Sequence, residues 1–395
     1  MKKKKLLVVY HSMIMGGSTT SLLGLLNNID SDKYDIDLQL FQNNGPMISE
    51  LSSFVKVLPE AQKYSGKVGR IIKAIKYLVS GYYFKALAKK RRSGTANSVV
   101  MEFQSKYLSK ENKKHYDYAI SFLEGWSSSF LAYKVNADKK YAWNHSTFSK
   151  TRDSQDADLT WLNHVDRIVF VTDACRDDFI NALPSMSEKA ITIENITDSS
   201  IIRKRSDLVD SEDQAYKSFV SSNACKIITV CRITISTKGL DRIVGCASKL
   251  KKAGQKFVWC IIGDGADLPV LKEMVKKEGL DDCISLIGKR MNPYPFIKAA
   301  DFMCMPSRYE GKPMVITESM ILGTPPVVTE YLSAHEQIKN GVEGIVINND
   351  DYSLYETVYD FINDSEKIKS MHEYLLAHEY SNKDYIKYIE EVLFD

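Results

Sequence analysis

Short apolar runs recur along the chain, and most of them lead through a polar or glycine-containing turn into a segment with helical periodicity. Unbroken runs of this kind are typical of parallel strands that are buried on both faces. The alternation of strands with helices predicts an α/β protein. The predicted strands are 6–10, 34–41, 118–122, 140–144, 168–172, 191–193, 226–230, 258–262, 284–287, 302–305 and one that begins at 327.

The stretch 307–329 frames one short helix between two of these strands. Pro313 suits the first position of a helix, and Gly323 followed by the prolines at 325–326 suits its end. The resulting order of strand, loop, helix and strand places Glu310 in the loop and Glu318 in the helix. Ligands of open α/β sheets bind at this edge, beyond the carboxyl ends of the strands.

Glu310 and Glu318 stand eight residues apart. Gly311 lets a ligand approach the backbone beside the first glutamate, and the free amides of a helix start attract an anion. Two glutamates at this spacing are, on their own, more often one loop residue and one solvated helix residue. Their setting is Ser-Arg-Tyr-Glu-Gly before and Glu-Ser-Met-Ile-Leu-Gly-Thr-Pro-Pro-Val-Val after. It resembles the retaining glycosyltransferases of the GT-B fold, in the group 1 type that forms glycosyltransferase family four.

The resemblance implies two Rossmann-like domains that face each other across a cleft, with a nucleotide sugar held mainly by the second. It is strong over most of the second domain and covers the first only in outline. We expect an acceptor-side domain at 1–197 and a nucleotide-sugar-binding domain at 223–378, with the final segment 379–395 packing back on the first domain. Residues 198–222 are rich in Ser, Asp, Lys and Arg with weak periodicity, which predicts a linker.

The segment 231–241 resembles the Gly-Arg-Leu…Lys-Gly signature of the same family. There the arginine and the lysine hold the donor diphosphate, and these roles carry over to Arg232 and Lys238. A planar guanidinium and a compact ammonium both suit phosphate oxygens. Cys231 stands where the family has glycine, and the interval from Arg232 to Lys238 is one residue longer than expected. The alternative is an exposed arginine and lysine on a turn.

The resemblance also assigns the remaining contacts of the donor. Glu318 would bind the ribose hydroxyls, Glu310 with His145 would orient the sugar, and the strand ends at Gly263 and at Lys289–Arg290 would border the base. Glu310, His145, Arg232 and Lys238 are therefore the expected catalytic residues. The expected donor-binding residues are Gly16, Gly17, Arg232, Lys238, Gly263, Lys289, Arg290, Glu310, Gly311, Lys312, Pro313, Met314, Val315 and Glu318.

Two features of the first domain enter this expectation. Gly16 and Gly17 follow the first strand, in a turn whose backbone amides could face a phosphate or an acceptor hydroxyl, although a plain tight turn is the alternative. The turn lacks the Gly-x-Gly-x-x-Gly of dinucleotide binders, which disfavours a dehydrogenase. His145 stands at the carboxyl end of a strand, where the family has a histidine that contacts the donor sugar and the developing positive charge.

The segment 63–92 contains ten lysines and arginines, no acidic residue, and apolar residues at roughly helical spacing. A basic amphipathic helix with aromatic residues at its border is typical of a segment that lies on an anionic membrane surface. A solvated helix face packed on the domain is the alternative. Nucleic acid is a poorer explanation, because no recognised binding motif accompanies the charge.

Composition limits the remaining choices. A net charge of +3, 44% hydrophobic residues and 26% charged residues are ordinary for a globular protein. Seven dispersed cysteines without a Cys-x-x-Cys pair or clustered histidines predict neither disulfides nor a metal site. The apolar run after the lysines at 2–5 is too short for a signal peptide, and no run of 18 apolar residues predicts a membrane span. We expect a cytoplasmic location, peripheral on the inner face of the membrane.

The sequence thus predicts a retaining, metal-independent glycosyltransferase that needs no cofactor. It would move a sugar from a nucleotide-diphosphate donor, a UDP-sugar, to a glycan or lipid-linked acceptor in cell-surface polysaccharide synthesis. Two alternatives stay open. One is a glycosyltransferase-like subunit that docks at the membrane without catalysing, and the other is a nucleotide-sugar epimerase of similar fold.

Overall fold

The structure is a computed structural model, and it describes residues 2–14, 16–64, 66–93, 97–150 and 160–394. It divides into two compact units. Unit 1 comprises Met1–Ile196 together with Lys383–Asp395, and unit 2 comprises Thr197–Asn382.

Unit 1 contains a seven-stranded parallel sheet in the order β3-β2-β1-β4-β5-β6-β7. Its strands are β1 Lys4–Tyr10, β2 Tyr34–Leu40, β3 Val55–Val57, β4 His115–Ser121, β5 Asn136–Asn144, β6 Arg167–Phe170 and β7 Ala190–Thr192. The helices along this part of the chain are α1 Gly17–Asn28, α2 Gly66–Val79, α3 Tyr82–Ser93, α4 Asn97–Phe103, α5 Trp126–Lys134 and α6 Asp173–Ala182.

Unit 2 contains a six-stranded parallel sheet in the order β10-β9-β8-β11-β12-β13. Its strands are β8 Cys225–Val230, β9 Phe257–Ile262, β10 Ile284–Gly288, β11 Phe302–Met305, β12 Pro326–Thr329 and β13 Ile345–Ile347. Its helices are α7 Ser199–Ser206, α8 Gln214–Val220, α9 Ile235–Lys238, α10 Leu240–Lys252, α11 Leu268–Lys277, α12 Tyr294–Ala299, α13 Met314–Ile321, α14 Ala334–Gln337, α15 Asp351–Asn363 and α16 Ser365–Ala377.

Both sheets are buried on both faces, as the unbroken apolar runs predict. In β1, Leu6 and Val8 pack into one core cluster, whereas Leu7 packs into the cluster on the opposite face. In β8, Ile227 and Ile228 divide between two clusters of unit 2 in the same way. Burial of each such side chain contributes about 1.5–3 kcal/mol, so neither face of either sheet tolerates a polar residue without a partner.

The last helix, α17 Ile386–Phe394, lies in the core of unit 1. Its apolar face is buried, with the Phe394 ring 5.2 Å from the ring of Tyr34. Its one buried carboxylate, Glu390, is paired with Lys33 at 2.8 Å. Charge and packing together fix the helix against the sheet.

Residues 198–222 form two helices of unit 2, so the prediction of an irregular linker is wrong. Asp198 and Asp213 cap α7 and α8 by accepting hydrogen bonds from backbone amides in the first turn. Ile202 and Phe219 anchor the two helices in the core. The helices are short and each buries few apolar side chains, which is why their periodicity is hard to detect in the sequence.

The basic segment forms two helices, α2 and α3, rather than one. Gly81 separates them with a φ of 77°, a left-handed conformation that glycine adopts without strain. The ring of Tyr82, at the start of α3, lies 5.5 Å from the ring of Phe103 in a small core of its own. This core holds α3 to unit 1, whereas much of the apolar surface of α2 is exposed.

Asp35 and Asp37 stand two residues apart in β2, but their surroundings differ. Asp37 is buried and accepts hydrogen bonds from Lys114 at 2.8 Å and from Tyr116 at 2.7 Å. Only Asp35 is exposed. The cation that stabilises Asp37 is Lys114, which lies 77 residues further along the chain, just before β4. The periodicity around Asp37 cannot indicate so distant a partner.

Candidate functional site

The loops at the carboxyl ends of β8 and β9 lie against each other backbone to backbone. A Cβ atom on Gly263 would stand 1.9 Å from the carbonyl oxygen of Cys231, and one on Gly265 would stand 2.2 Å from that of Ile233. The Ile233 amide donates to the carbonyl oxygen of Asp264 at 2.9 Å. Only glycine fits at these two positions, which explains the Gly-Asp-Gly turn after β9.

The turn that carries Lys238 rests on the exit of β11. Lys238 is the last residue of the single-turn helix α9, and Gly239 caps it in the left-handed conformation with a φ of 65°. A Cβ atom at Gly239 would lie 2.1 Å from the carbonyl oxygen of Pro306. This close approach brings Lys238 beside the loop that follows β11.

Lys238 and Glu310 form an ion pair at that place. The Lys238 Nζ and the Glu310 Oε1 are 2.5 Å apart, and the Ser307 hydroxyl donates to the same carboxylate oxygen at 2.7 Å. The two side chains are 21% and 10% exposed, so the pair is largely shielded from solvent. The sequence analysis predicted both residues, and the structure joins them in one contact.

Arg232 lies in the loop directly after β8 and its side chain is exposed. Among the residues that the structure describes, none accepts a hydrogen bond or ion pair from its guanidinium. Arg232 therefore presents an uncompensated positive charge, whereas the charge of Lys238 is neutralised by Glu310.

Glu318 is buried in α13, where the Tyr294 hydroxyl donates to its Oε1 at 3.0 Å. Burial raises its pKa to about 7, although the hydrogen bond from Tyr294 and the charge of Arg205 oppose this shift. The Arg205 guanidinium stands 5.3 Å from the centre of the Tyr294 ring. An ionised carboxylate at this position is costly to the fold, which is typical of a functional rather than a structural group.

The helix α13 itself differs by one residue from its prediction. Met314 is the first helical residue, and Pro313 is the cap before it, with a φ of −68°. The helix ends before Gly323, whose φ is 79°, as the glycine and the following prolines predict. Gln337 donates to the carbonyl oxygen of Pro313 at 3.0 Å, and the Ser333 hydroxyl donates to that of Gly311. These two hydrogen bonds fix the backbone at the start of the helix.

At the end of β10, Lys289 is exposed but Arg290 is engaged in an ion pair. The Arg290 Nε donates to Asp213 at 2.7 Å, and a second nitrogen donates to the carbonyl oxygen of Ile287. The side chain of Arg290 thus connects α8 to the loop after β10. Any contact of this position with a nucleotide-sugar donor would therefore come from the backbone. Sequence reasoning missed Asp213, because it placed this residue in a linker.

The two glycines of unit 1 begin a helix. Gly16 is the cap before α1 and Gly17 is its first residue, and the amides of Thr19 and Thr20 both donate to the carbonyl oxygen of Gly16 at 3.0 Å. A Cβ atom on Gly16 would meet no atom within 4 Å. The backbone at Gly16 is therefore open to an approaching molecule.

His145 follows β5 and lies against the end of β4. The backbone amide of His145 and the hydroxyl of Ser146 both donate to the carboxylate of Glu124. Burial lowers the pKa of the His145 imidazole, against the opposing charge of Glu124 and a hydrogen bond with the Phe122 backbone. The ring is therefore neutral at pH 7, and its buried Nε2 has no hydrogen-bond partner among the described residues. The role of Glu124 could not be foreseen, because it depends on the pairing of β4 with β5.

The predicted site residues thus fall into two groups. Gly16, Gly17 and His145 belong to unit 1, and all the others belong to unit 2. Within the described ranges, no three His, Cys, Asp or Glu side chains come together as a metal ion would require.

Comparison with known proteins shows a similarity in the part of the chain that contains the second group. Residues 210–377 match the family model of the glycosyl transferases group 1. The match covers less than half of the chain and lies within unit 2. Every residue of the second group lies inside the matched range.

Two curated proteins and one solved structure illustrate the similarity. The chain is 28% identical over 123 residues to alpha-D-kanosaminyltransferase of Streptomyces kanamyceticus, covering 31% of this chain and 32% of that protein. It is 32% identical over 101 residues to the lipopolysaccharide core biosynthesis mannosyltransferase LpsB of Rhizobium meliloti, covering 25% and 29%. The matches thus span less than a third of either relative's length.

Similarity in fold to a solved structure extends over almost the whole chain. The crystal structure of Anabaena Alr3699/HepE in complex with UDP and glucose superposes with a TM-score of 0.72 at 16% identity, covering 99% of both chains. The two parallel sheets with their helices are therefore the two Rossmann-like domains of the GT-B fold.

Among the helices of the described residues, none combines the length and the apolar character that a membrane crossing requires.

Proposed function

We propose that this protein is a retaining, metal-independent glycosyltransferase that moves a sugar from a UDP-sugar to a glycan or lipid-linked acceptor in cell-surface polysaccharide synthesis. The observation that carries this proposal is the ion pair between Lys238 and Glu310, with the exposed Arg232 in the loop after the neighbouring strand β8, inside the range that matches the group 1 family model. The similarity to LpsB, named for lipopolysaccharide core biosynthesis, supports the class of product.

The two cations stabilise the leaving group. As the bond between the sugar C1 and the diphosphate oxygen breaks, negative charge collects on the diphosphate, where Arg232 and Lys238 bind it. The acceptor oxygen bonds to C1 on the same face, and its proton passes to the departing phosphate oxygen. Donors preorganised for a developing anion are worth several kcal/mol each in lowering a barrier. The reaction so written needs no metal ion and no cofactor.

Lys238 changes partners in this scheme. Its ammonium turns from the Glu310 carboxylate, 2.5 Å away, toward the diphosphate, and Glu310 becomes available to the sugar hydroxyls. The backbone amides of Gly311, Lys312, Met314 and Val315, at the start of α13, lie next to Glu310 in the chain and attract anionic or hydroxyl oxygens. Donor binding and the release of the ion pair are therefore one event.

The other assignments follow the family pattern. Glu318 accepts hydrogen bonds from the ribose hydroxyls, and the backbone at Gly263 and at Lys289–Arg290 borders the base. His145 contacts the transferred sugar through Nε2, which accepts a hydroxyl proton because the ring is neutral. Gly16 and Gly17 offer open backbone to a phosphate or an acceptor hydroxyl. The UDP and glucose in the HepE crystal structure support the choice of donor.

A panel of radiolabelled nucleotide sugars tests the proposal and separates it from its alternatives. A glycosyltransferase transfers the label to an acceptor, or releases free sugar slowly to water in its absence. An epimerase leaves the label on the nucleotide as a different sugar and needs no acceptor. A non-catalytic partner subunit changes none of the donors. Transfer from a UDP-sugar is the expected result, and a panel without transfer or hydrolysis would reject it.

We also propose that α2 and α3 attach the protein to the cytoplasmic face of an anionic membrane. Exposed apolar side chains follow one face of α2 at helical spacing, and Phe84 of α3 adds to them; the α2 residues are Val68, Ile71, Ile75, Leu78 and Val79, between 51% and 83% exposed. The exposed cations Lys67, Arg70, Lys85 and Lys90 stand among them. Apolar insertion combined with basic residues is the usual arrangement of an interfacial helix.

The double variant Ile71→Gln/Ile75→Gln is expected to weaken binding to anionic phosphatidylglycerol vesicles by at least about tenfold, because each buried apolar side chain contributes on the order of 1.5 kcal/mol. Vesicle co-sedimentation measures the effect. The matched control is Val270→Gln/Leu376→Gln in unit 2, where the side chains are 50% and 53% exposed. Equal loss in both variants, or none in the first, would contradict this membrane surface.

A further inference from the structure

The ion pair between Arg308 and Asp241 connects the two segments that carry Glu310 and Lys238. Arg308 stands in the loop after β11, two residues before Glu310, and Asp241 lies in the first turn of α10, three residues after Lys238. The two guanidinium nitrogens Nη1 and Nη2 donate to the two carboxylate oxygens of Asp241 at 2.9 and 2.7 Å. This is the bidentate geometry that fixes an arginine in position as well as in charge.

Arg308 holds the same turn at two further points. Its Nη1 donates to the carbonyl oxygen of Ile235 at 3.0 Å, at the start of α9. Its backbone amide donates to the carbonyl oxygen of Thr237 at 2.8 Å, next to Lys238. Arg308 thus contacts α9 at Ile235 and at Thr237, and it contacts the first turn of α10 at Asp241.

Exposure indicates what this ion pair can do. The side chains of Arg308 and Asp241 are 30% and 33% exposed. Ion pairs at such exposure contribute little to the stability of a fold. A displacement of a catalytic group by about 1 Å can nevertheless cost about a hundredfold in rate. A contact that adds little stability but fixes the distance between two catalytic side chains is a positioning device.

We propose that Arg308 and Asp241 are positioning residues that set the distance between Lys238 and Glu310 and hold Lys238 toward the diphosphate. The inference rests on the proposed function, which identifies Lys238 and Glu310 as catalytic. It adds a residue pair to which the sequence analysis gave no role. The Arg308 guanidinium also lowers the pKa of the Asp241 carboxyl, so the pair is ionised at neutral pH.

A double-mutant cycle tests the proposal. Arg308→Gln and Asp241→Asn should each lower kcat for transfer from UDP-glucose by about 10- to 100-fold, with the unfolding midpoint shifted by less than about 4 °C. The double variant should lose no more than the worse single variant, because both residues act through one contact. The control cycle is Lys251→Gln with Asp282→Asn, an exposed bidentate pair at 2.7 and 2.8 Å on another face, which should leave kcat unchanged.

Losses that multiply in the double variant, or unchanged kcat in all variants, would overturn the positioning role. Hydrogen exchange at the Arg308 amide gives a second, activity-independent readout, because that amide donates to Thr237. Faster exchange in Asp241→Asn supports the contact, and unchanged exchange refutes it. Wild-type protein without transfer or hydrolysis would reject the proposed function instead, and the exchange result would still decide whether Asp241 fixes this loop.

Discussion

Replacing Arg232 by alanine is expected to reduce the rate of sugar transfer by about 10²–10³-fold while leaving the fold almost untouched. The guanidinium is exposed, and none of the described residues accepts a hydrogen bond or an ion pair from it, so its removal breaks no such interaction. In the proposed reaction its charge stabilises the departing diphosphate. Steady-state kinetics with a UDP-sugar, read together with the thermal unfolding midpoint, separates the two effects.

Lys238→Ala is expected to cause a loss of the same order, but with a somewhat larger cost in stability. Removal of the ammonium takes away the cation that pairs with Glu310, while the Ser307 hydroxyl still donates to the same carboxylate. Lys272→Ala, on the exposed face of α11, is the control for removing a positive charge from unit 2. If Arg232→Ala and Lys238→Ala lose activity only in proportion to folded protein, the diphosphate is held elsewhere.

Glu318→Gln should weaken the binding of UDP-glucose by about 10- to 100-fold and, at pH 8, make the fold more stable. The loss of affinity follows because hydrogen bonds to a charged acceptor contribute about 1.5–3 kcal/mol. The gain in stability follows from the pKa of about 7, against 4.5 for an ordinary glutamate. That difference corresponds to about 3 kcal/mol disfavouring the ionised side chain in the fold.

The sign of the pH dependence checks the same residue. A carboxyl group whose pKa is raised by folding stabilises the fold when it is protonated, and this contribution is lost as the pH rises from about 4.5 through about 7. Wild-type affinity for UDP-glucose should fall below pH 7, as Glu318 takes up a proton, whereas Glu318→Gln should show neither dependence. Calorimetric titrations and urea unfolding from pH 5 to 8 measure both. Glu273→Gln on α11 is the control, and a destabilised Glu318→Gln variant would contradict this assignment.

The chain reveals most about the part of the site that lies in one continuous segment. Pro313, Gly323 and the apolar run before Glu310 define β11, its loop and α13 by local rules, and the structure differs from the prediction by one residue at the helix start. The buried strands can be predicted equally well, because a strand covered on both faces must be apolar throughout. In unit 2 the same stretch of sequence therefore predicts both the motif and the local fold.

Contacts between segments that are distant in the sequence cannot be predicted in this way. Asp213 with Arg290 and Asp241 with Arg308 join residues that are 77 and 67 positions apart. A carboxylate in a turn looks the same in the sequence whether it is solvated or paired. Such partners are decided by the sheet order and by the close approach of the loops at Gly239, none of which periodicity encodes.

The most direct test of the account is a crystal structure of the protein soaked with UDP-glucose. We expect the diphosphate within about 3.2 Å of both Arg232 and the Lys238 Nζ, the ribose hydroxyls on Glu318, and the contact between Lys238 and Glu310 opened. A structure with UDP-glucose bound away from these side chains, and with Lys238 still on Glu310, would contradict it.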